Sequence, residues 1–171
     1  LALEPLLKFE APVASFRGKR FSRNLIPTSG RFGTGRQGRR IHTAVDIPAA
    51  FGERVLSPGI GQVVLISHLK SQSTVFLRHV RPDGSRFFSA LAHVKNVSVQ
   101  AGSLVTPETG VGRAMSQKEL AQTKHRYNHV HFEVRTSVED LGNASIHAKK
   151  GTLQNRIFVD PVLPLQGIWS W

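Results

Sequence analysis

Between His42 and Ser67 the chain reads "HTAVDIPAAFGERVLSPGIGQVVLIS", and no apolar run in it survives more than a few residues before a proline or glycine intervenes. Pro48, Gly52, Pro58, Gly59 and Gly61 break the segment too often for a helix of ordinary length and leave pieces that suit short strands joined by turns. The same idiom continues in "TVFLRHVRPDGSRFFSALAHV". There two alternating segments flank Pro82 and Gly84, which suit positions i+1 and i+3 of a type I turn and predict a hairpin. "VSVQAGSLVTPETGVG" follows the same pattern, and "RIFVDPVLPL" is expected to close the fold as a strand. Only "SQKELAQTKH" reads as helical, with Ser116 as N-cap and Glu119 three residues on as the return half of a capping box. Without an internal repeat, these features predict a mainly β, antiparallel architecture with one short helix, expected as a lead-in over residues 1–24 and one domain over 25–171.

Composition bounds the function classes. A chain of 171 residues with 40% apolar content is long enough to bury a core without staples, and nothing in it approaches the ~18 apolar residues of a membrane span. Cysteine is absent, which excludes disulfides and thiolate metal sites. The sequence begins without methionine or a signal-peptide pattern, so we expect a mature or trimmed piece, with any export signal outside it. The net charge of +12 and pI near 11.3 favour a polyanionic partner. The charge gathers between Arg17 and Arg40, where eight basic residues occur without one acidic residue. Nucleic acid, an anionic membrane, an anionic bacterial wall and a merely solvated basic surface all fit such a stripe. It lacks the interleaved aromatic residues of a single-stranded nucleic-acid binder, and no nucleic acid is expected.

The chemistry-bearing residues fall in three places. "HTAVD" holds His42 and Asp46 four residues apart, "ALAHV" holds His93, and "RYNHVHFEVR" holds His129 and His131. With period-2 geometry, Val130, Phe132 and Val134 form one face of that last segment, and Tyr127, His129, His131, Glu133 and Arg135 the other. Same-face neighbours lie roughly 7 Å apart, so the two imidazoles can reach one small object. Each motif alone is weak. Together, imidazole and carboxylate donors without thiolate suit a catalytic zinc site of three protein ligands with a fourth position open.

These motifs, in this order, resemble the lysostaphin-type (LytM-type) zinc metallopeptidases, most of which cut peptidoglycan peptides. That family carries His-x3-Asp, then a histidine in a Tyr-Ala-His-Leu-like segment, then His-x-His in a His-Leu-His-Phe-Glu-Val-like strand. The resemblance runs from Gly30 to Arg135, and "IHTAVDI" and "NHVHFEVR" are its most specific pieces. It implies an antiparallel β sandwich or open barrel, with His42, Asp46 and His131 as zinc ligands and His93 and His129 as catalytic histidines outside the ligand set. There is no His-Glu-x-x-His helix to supply the glutamate base of that other protease class. Glu133 competes for the base, but reads better as orienting a ligand histidine or pairing with Arg135.

Three departures stand out. Ala44 replaces the family's usual glycine, which would strain the loop if that position needs a positive φ. Leu91 replaces a tyrosine two residues before His93, and Tyr127 is a candidate to supply the missing hydroxyl. The stretch from Met115 to Arg126 is longer than in the family and is expected to reshape one wall of the cleft. Among the other histidines, His79 shares the alternation of Val75 and Leu77 and is expected to be packed, at most supporting the site. His68, His125 and His147 are expected at the surface, with His125 notable for lying four residues before His129. Trp169 and Trp171 are expected to pack as a closing plug.

The resulting expectation is an extracytoplasmic bacterial zinc endopeptidase, periplasmic or secreted, acting on peptidoglycan peptides at stem-peptide cross-links. Its basic surface would attract anionic wall polymers. The alternative is a non-catalytic wall-binding or amidase-activating module on the same fold.

Overall fold

The computed structural model describes residues 3–6, 9–36, 40–69, 72–136 and 158–168. Its main body is a seven-stranded antiparallel sheet in the order β11-β10-β7-β6-β5-β8. These strands are Phe158–Val159 (β11), His129–Arg135 (β10), Arg86–Val94 (β7), Gln72–Val80 (β6), Gly61–Leu69 (β5) and Leu104–Val105 (β8). The seventh, Ala44–Pro48 (β3), shares the β11 side of β10. Two small ribbons complete the described strands. Gly35–Arg36 (β1) pairs with Arg40–Ile41 (β2), and Arg54–Leu56 (β4) with Gly110–Arg113 (β9). The sheet does not close into a barrel.

The long hairpin β6–β7 forms where the turn chemistry predicts it. The Gly84 N–H donates to the Arg81 carbonyl at 2.9 Å, and Gly84 takes the left-handed conformation (φ 82°) that a residue with a Cβ resists. The helical segment is shorter than the sequence suggests: α1 is the single turn Gln117–Leu120. Its capping box is complete, with the Ser116 hydroxyl accepting from the Glu119 N–H and the Glu119 carboxylate accepting from the Ser116 N–H. No α1 residue is buried, so beyond the cap there is no packed face to extend the turn. The expected closing strand also splits. After the two residues of β11, Pro161 starts a second one-turn helix, Val162–Leu165 (α2), because proline's fixed φ suits a helix start and its missing N–H cannot continue a ladder.

Alternation along β10 is as predicted on one face and different on the other. Val130, Phe132 and Val134 are fully buried in the main core with Val45, Ile47, Leu77 and Leu91. The opposite face is not solvent: Glu133 and Arg135 are buried as well, bonded to each other, with the Arg135 guanidinium against the Phe76 and Phe158 rings. The residues expected as a lead-in pack onto the domain. Phe9 and Val13 are fully buried, and Phe9 contacts the rings of His79, Phe87 and Phe132 at 4.9 to 5.6 Å. Main-chain bonds from Leu6 to Val80 and from Glu10 to Pro58 hold this segment in place. Among the described residues, no helix is long and apolar enough to cross a membrane. His147, Trp169 and Trp171 lie outside the described residues.

Candidate metal centre

Antiparallel pairing brings the first motif to the third. Asp46 of β3 sits directly opposite His131 of β10, although the two are 85 residues apart in sequence. Directly opposed residues share a face, so the carboxylate meets the imidazole without any special loop. His42 lies just ahead of β3 and is held by main-chain bonds to Gly33 and Thr34, 2.8 Å each. Gly30 has to lack a side chain here: a Cβ would overlap the Tyr127 hydroxyl and come within 2.8 Å of the Asp46 Cβ.

The result is three donor atoms at one point. His42 Nε2 is 3.1 Å from Asp46 Oδ1, His131 Nδ1 is 3.0 Å from the same oxygen, and the two nitrogens are 3.2 Å apart. Tetrahedral zinc with bonds of about 2.0–2.1 Å sets its donors about 3.3 Å apart, so this trio stands close to liganding spacing. The tautomers fit too. His42 Nδ1–H donates to the Arg31 carbonyl at 3.1 Å, which leaves Nε2 with its lone pair turned towards two other acceptors. With His131 Nδ1 also deprotonated, three lone pairs meet at one locus and suit a cation, which takes the place of the proton that otherwise bridges His131 and Asp46. Asp46 is monodentate towards this point, since its Oδ2 faces the Arg36 guanidinium at 3.6 Å. Burial pushes the Asp46 carboxyl up, but the contacts with His131 and His42, which favour its charged form, outweigh it and hold the group well below the usual carboxylate range. For His131, burial pulls down, and the hydrogen bond and charge of Asp46 reverse the sign and raise it.

His129 and His93 stand beside the trio. His129 Nδ1–H donates to the Tyr127 carbonyl at 2.9 Å, and its Nε2 lies 3.6 Å from Asp46 Oδ1. His93 Nδ1–H donates to Gln72 Oε1 of the neighbouring strand β6 at 2.5 Å. Their rings meet edge to face with centroids 4.9 Å apart. His93 is held in the left-handed region at φ 64°, a conformation costing about 1–2 kcal/mol for a residue with a Cβ. Such strain is characteristic of functional positions. Burial lowers both histidines, His129 to about 4 and His93 well below its ordinary value with the neighbouring imidazoles adding to the effect. Both are neutral at pH 7.

The structure thus gathers all five residues singled out in the sequence. It also resolves the departures. Ala44 is an ordinary strand residue, since among described non-glycine residues only His93 and Asn96 have positive φ. Leu91 is fully buried in the core, so that replacement alters packing rather than the cleft. The Tyr127 hydroxyl donates to the Asp46 carbonyl at 3.4 Å and so braces β3. Glu133 accepts from the Thr43 hydroxyl and from Arg135 Nε, both at 2.6 Å. That commits it to positioning and removes it from competition for the base. His79 is remote: it pairs with Phe87, six residues along β7 from His93, about 20 Å at 3.3 Å per residue.

The sequence reading missed His125. Its ring lies 4.4 Å from that of His93 and 4.9 Å from that of His129 (centroid distances), so it belongs to the cleft and not to the open surface. The Met115–Arg126 stretch delivers it there. Asn128 anchors that stretch by donating to the Met115 and Ala50 carbonyls at 3.0 and 2.9 Å. Spacing to His129 was the one available signal. Arg36 and Gln72 had none, because strand pairing alone brings them in.

Comparison with known proteins gives the family and the fold. Residues 40–145 match peptidase family M23, and the chain belongs to that family. No curated protein sequence matches it at a significant level. Its fold is similar to that of Csd3 from Helicobacter pylori, with 21% identity and a TM-score of 0.56 over 96% of this chain and 36% of the other. A zinc-containing peptidase from Vibrio cholerae aligns at 22% identity and TM-score 0.53, over 74% and 36% of the two chains. The solution structure of lysostaphin aligns at 18% identity and TM-score 0.51, over 77% and 46%. The chain spans less than half the length of each of these three structures.

Proposed function

We propose that the chain is a zinc-dependent endopeptidase that hydrolyses peptide bonds of bacterial peptidoglycan, at stem-peptide cross-links, in an extracytoplasmic compartment. The observation that carries this reading is the convergence of His42 Nε2, Asp46 Oδ1 and His131 Nδ1 at 3.0 to 3.2 Å, within a chain of peptidase family M23. In this reading those three residues hold the ion, and His93 and His129 act on the substrate. Bound zinc supplies the positive charge that activates a water and polarises the scissile carbonyl.

The remaining steps belong to the protein's own side chains. The Nδ1–H groups of His93 and His129 are committed to fixed acceptors, so each Nε2 is a proton acceptor when neutral and a donor only once protonated. The attacking water gives its proton to one of these Nε2 atoms. The resulting imidazolium then donates it to the leaving amine as the C–N bond breaks. The second imidazole, also an acceptor at Nε2, orients the attacking water by taking a hydrogen bond from it. Arg36 holds the free Asp46 oxygen, and Tyr127 braces the main chain of Asp46. The excess positive charge of the chain raises its encounter rate with an anionic wall polymer.

The test is digestion of purified peptidoglycans of defined chemistry by the zinc-loaded chain, with released fragments identified by mass spectrometry. New amino termini at stem-peptide cross-links are expected. A folded, zinc-loaded protein that leaves every wall and wall peptide intact would hand the site to the non-catalytic reading.

A further inference from the structure

His93, His125 and His129 offer ring nitrogens that all lie within 4.8 Å of one another, forming a second group beside the His42, Asp46 and His131 trio. Two of these rings are already oriented for a ligand. The hydrogen bonds of His93 and His129 consume Nδ1 and leave each Nε2 with a free lone pair. The third ring, His125, has no protein hydrogen-bond partner for its nitrogens among the described residues. Its main-chain N–H, by contrast, is held by the Thr123 hydroxyl at 3.1 Å. A half-buried imidazole with unengaged nitrogens, packed 4.4 and 4.9 Å from two others, is poorly explained by packing alone.

We infer that His93, His125 and His129 form a second binding site for a transition-metal cation such as zinc, and that its occupation silences the cleft. Three imidazoles with an open fourth position are an established zinc donor set. The two groups differ in readiness. The first trio stands at 3.0 to 3.2 Å, whereas the second shows no hydrogen bond between its members and has to tighten around the ion. The second ion therefore binds more weakly than the first. His125 sits at the end of the wall that follows α1, outside the sheet, and is the ring best placed to close. The silencing follows from the roles proposed above, and only that part rests on the peptidase reading. A cation on the two Nε2 lone pairs leaves neither available to take a proton from water.

The experiment is a zinc titration of the metal-free full chain, followed by calorimetry and by metal analysis after equilibrium dialysis, without substrate. The wild type is expected to bind two equivalents, one tight and one weak. His125→Phe, which keeps a packed ring and removes the nitrogens, is expected to bind only the tight one. His125→Gln should do the same, and the thermal midpoint of each variant checks that it folds. With a peptide substrate, wild-type activity should fall as the weak equivalent loads, and that of His125→Phe should not. A single equivalent in the wild type, or two in folded His125→Phe, overturns the inference. A missing tight equivalent would instead count against the proposed peptidase centre, so the two failures are distinguishable.

Discussion

His79 and His42 are both buried histidines, at 0% and 1% exposure, and they differ in what the second ring nitrogen faces. His79 is closed. Its Nδ1–H donates to the Ile60 carbonyl at 2.7 Å, its Nε2 accepts from the Ser89 hydroxyl at 2.8 Å, and Phe9 and Phe87 pack against the ring. His42 is open to a shared locus: one nitrogen is satisfied by Arg31, and the other faces Asp46 Oδ1 and His131 Nδ1 at 3.1 and 3.2 Å. The same contrast runs along one face of β10. At its start, His129 and His131 aim at the cleft. At its end, Glu133 and Arg135 close on each other, with the guanidinium between the rings of Phe76 and Phe158 at 5.3 and 5.1 Å. Burial of polar groups therefore does not by itself mark a site; several metal-ligating atoms from distant segments sharing one locus do.

The sharpest way to break this contrast is to cut at the open end. His131→Ala should leave a folded chain that no longer retains zinc. Its hydrolysis should fall by at least about four orders of magnitude, above 5 kcal/mol at 1.36 kcal/mol per tenfold. Metal analysis and fragment release read both effects. Cutting at the closed end should do the opposite. Arg135→Ala strands a buried carboxylate and should cost about 3–5 kcal/mol of stability in denaturant unfolding. Glu133→Gln, which keeps the Thr43 contact, should hold turnover within a few-fold.

His79 gives a third test through pH. Burial lowers it to about 4, partly offset by the bond to Ile60, so the native ring stays neutral while the unfolded chain takes up a proton below about 6.5. Its effect on stability is absent above pH 6.5, grows as pH falls to about 4, and is then constant at about 3 kcal/mol of lost stability. The difference between wild type and His79→Gln, followed by urea unfolding from pH 7 to 4, should show that loss in the wild type only. The smallest effect belongs to Tyr127→Phe. Removing a 3.4 Å hydrogen bond to the Asp46 carbonyl should cost about 1 kcal/mol or less and slow hydrolysis by no more than about tenfold.

How much of this was legible in the sequence follows from the range of each interaction. Alternation in "NHVHFEVR" gave the two faces of β10, and the Pro82–Gly84 turn gave the hairpin, because both are local. The five candidate site residues were legible through spacing and flanking text. Their meeting was not derivable from those spacings, since it depends on Asp46 pairing with His131 across the sheet. His125, Arg36 and Gln72 stayed hidden for the same reason. Helix length was overestimated at α1 because the capping box marks a start and says nothing about whether a buried face will sustain the turns that follow. The closing strand was overestimated because the apolar residues of "VDPVLPL" bury equally well from a one-turn helix, and Val162, Pro164 and Leu165 do so.

The account depends most on one tightly held ion among His42, Asp46 and His131. X-ray absorption at the zinc edge, on the full chain dialysed to remove weakly held metal, tests it most directly. The predicted result is one zinc per chain with two imidazole nitrogens and one carboxylate oxygen at about 2.0–2.2 Å, lost entirely in Asp46→Ala. A chain that takes up no zinc, or an Asp46→Ala variant that keeps the same metal and the same spectrum, would contradict it.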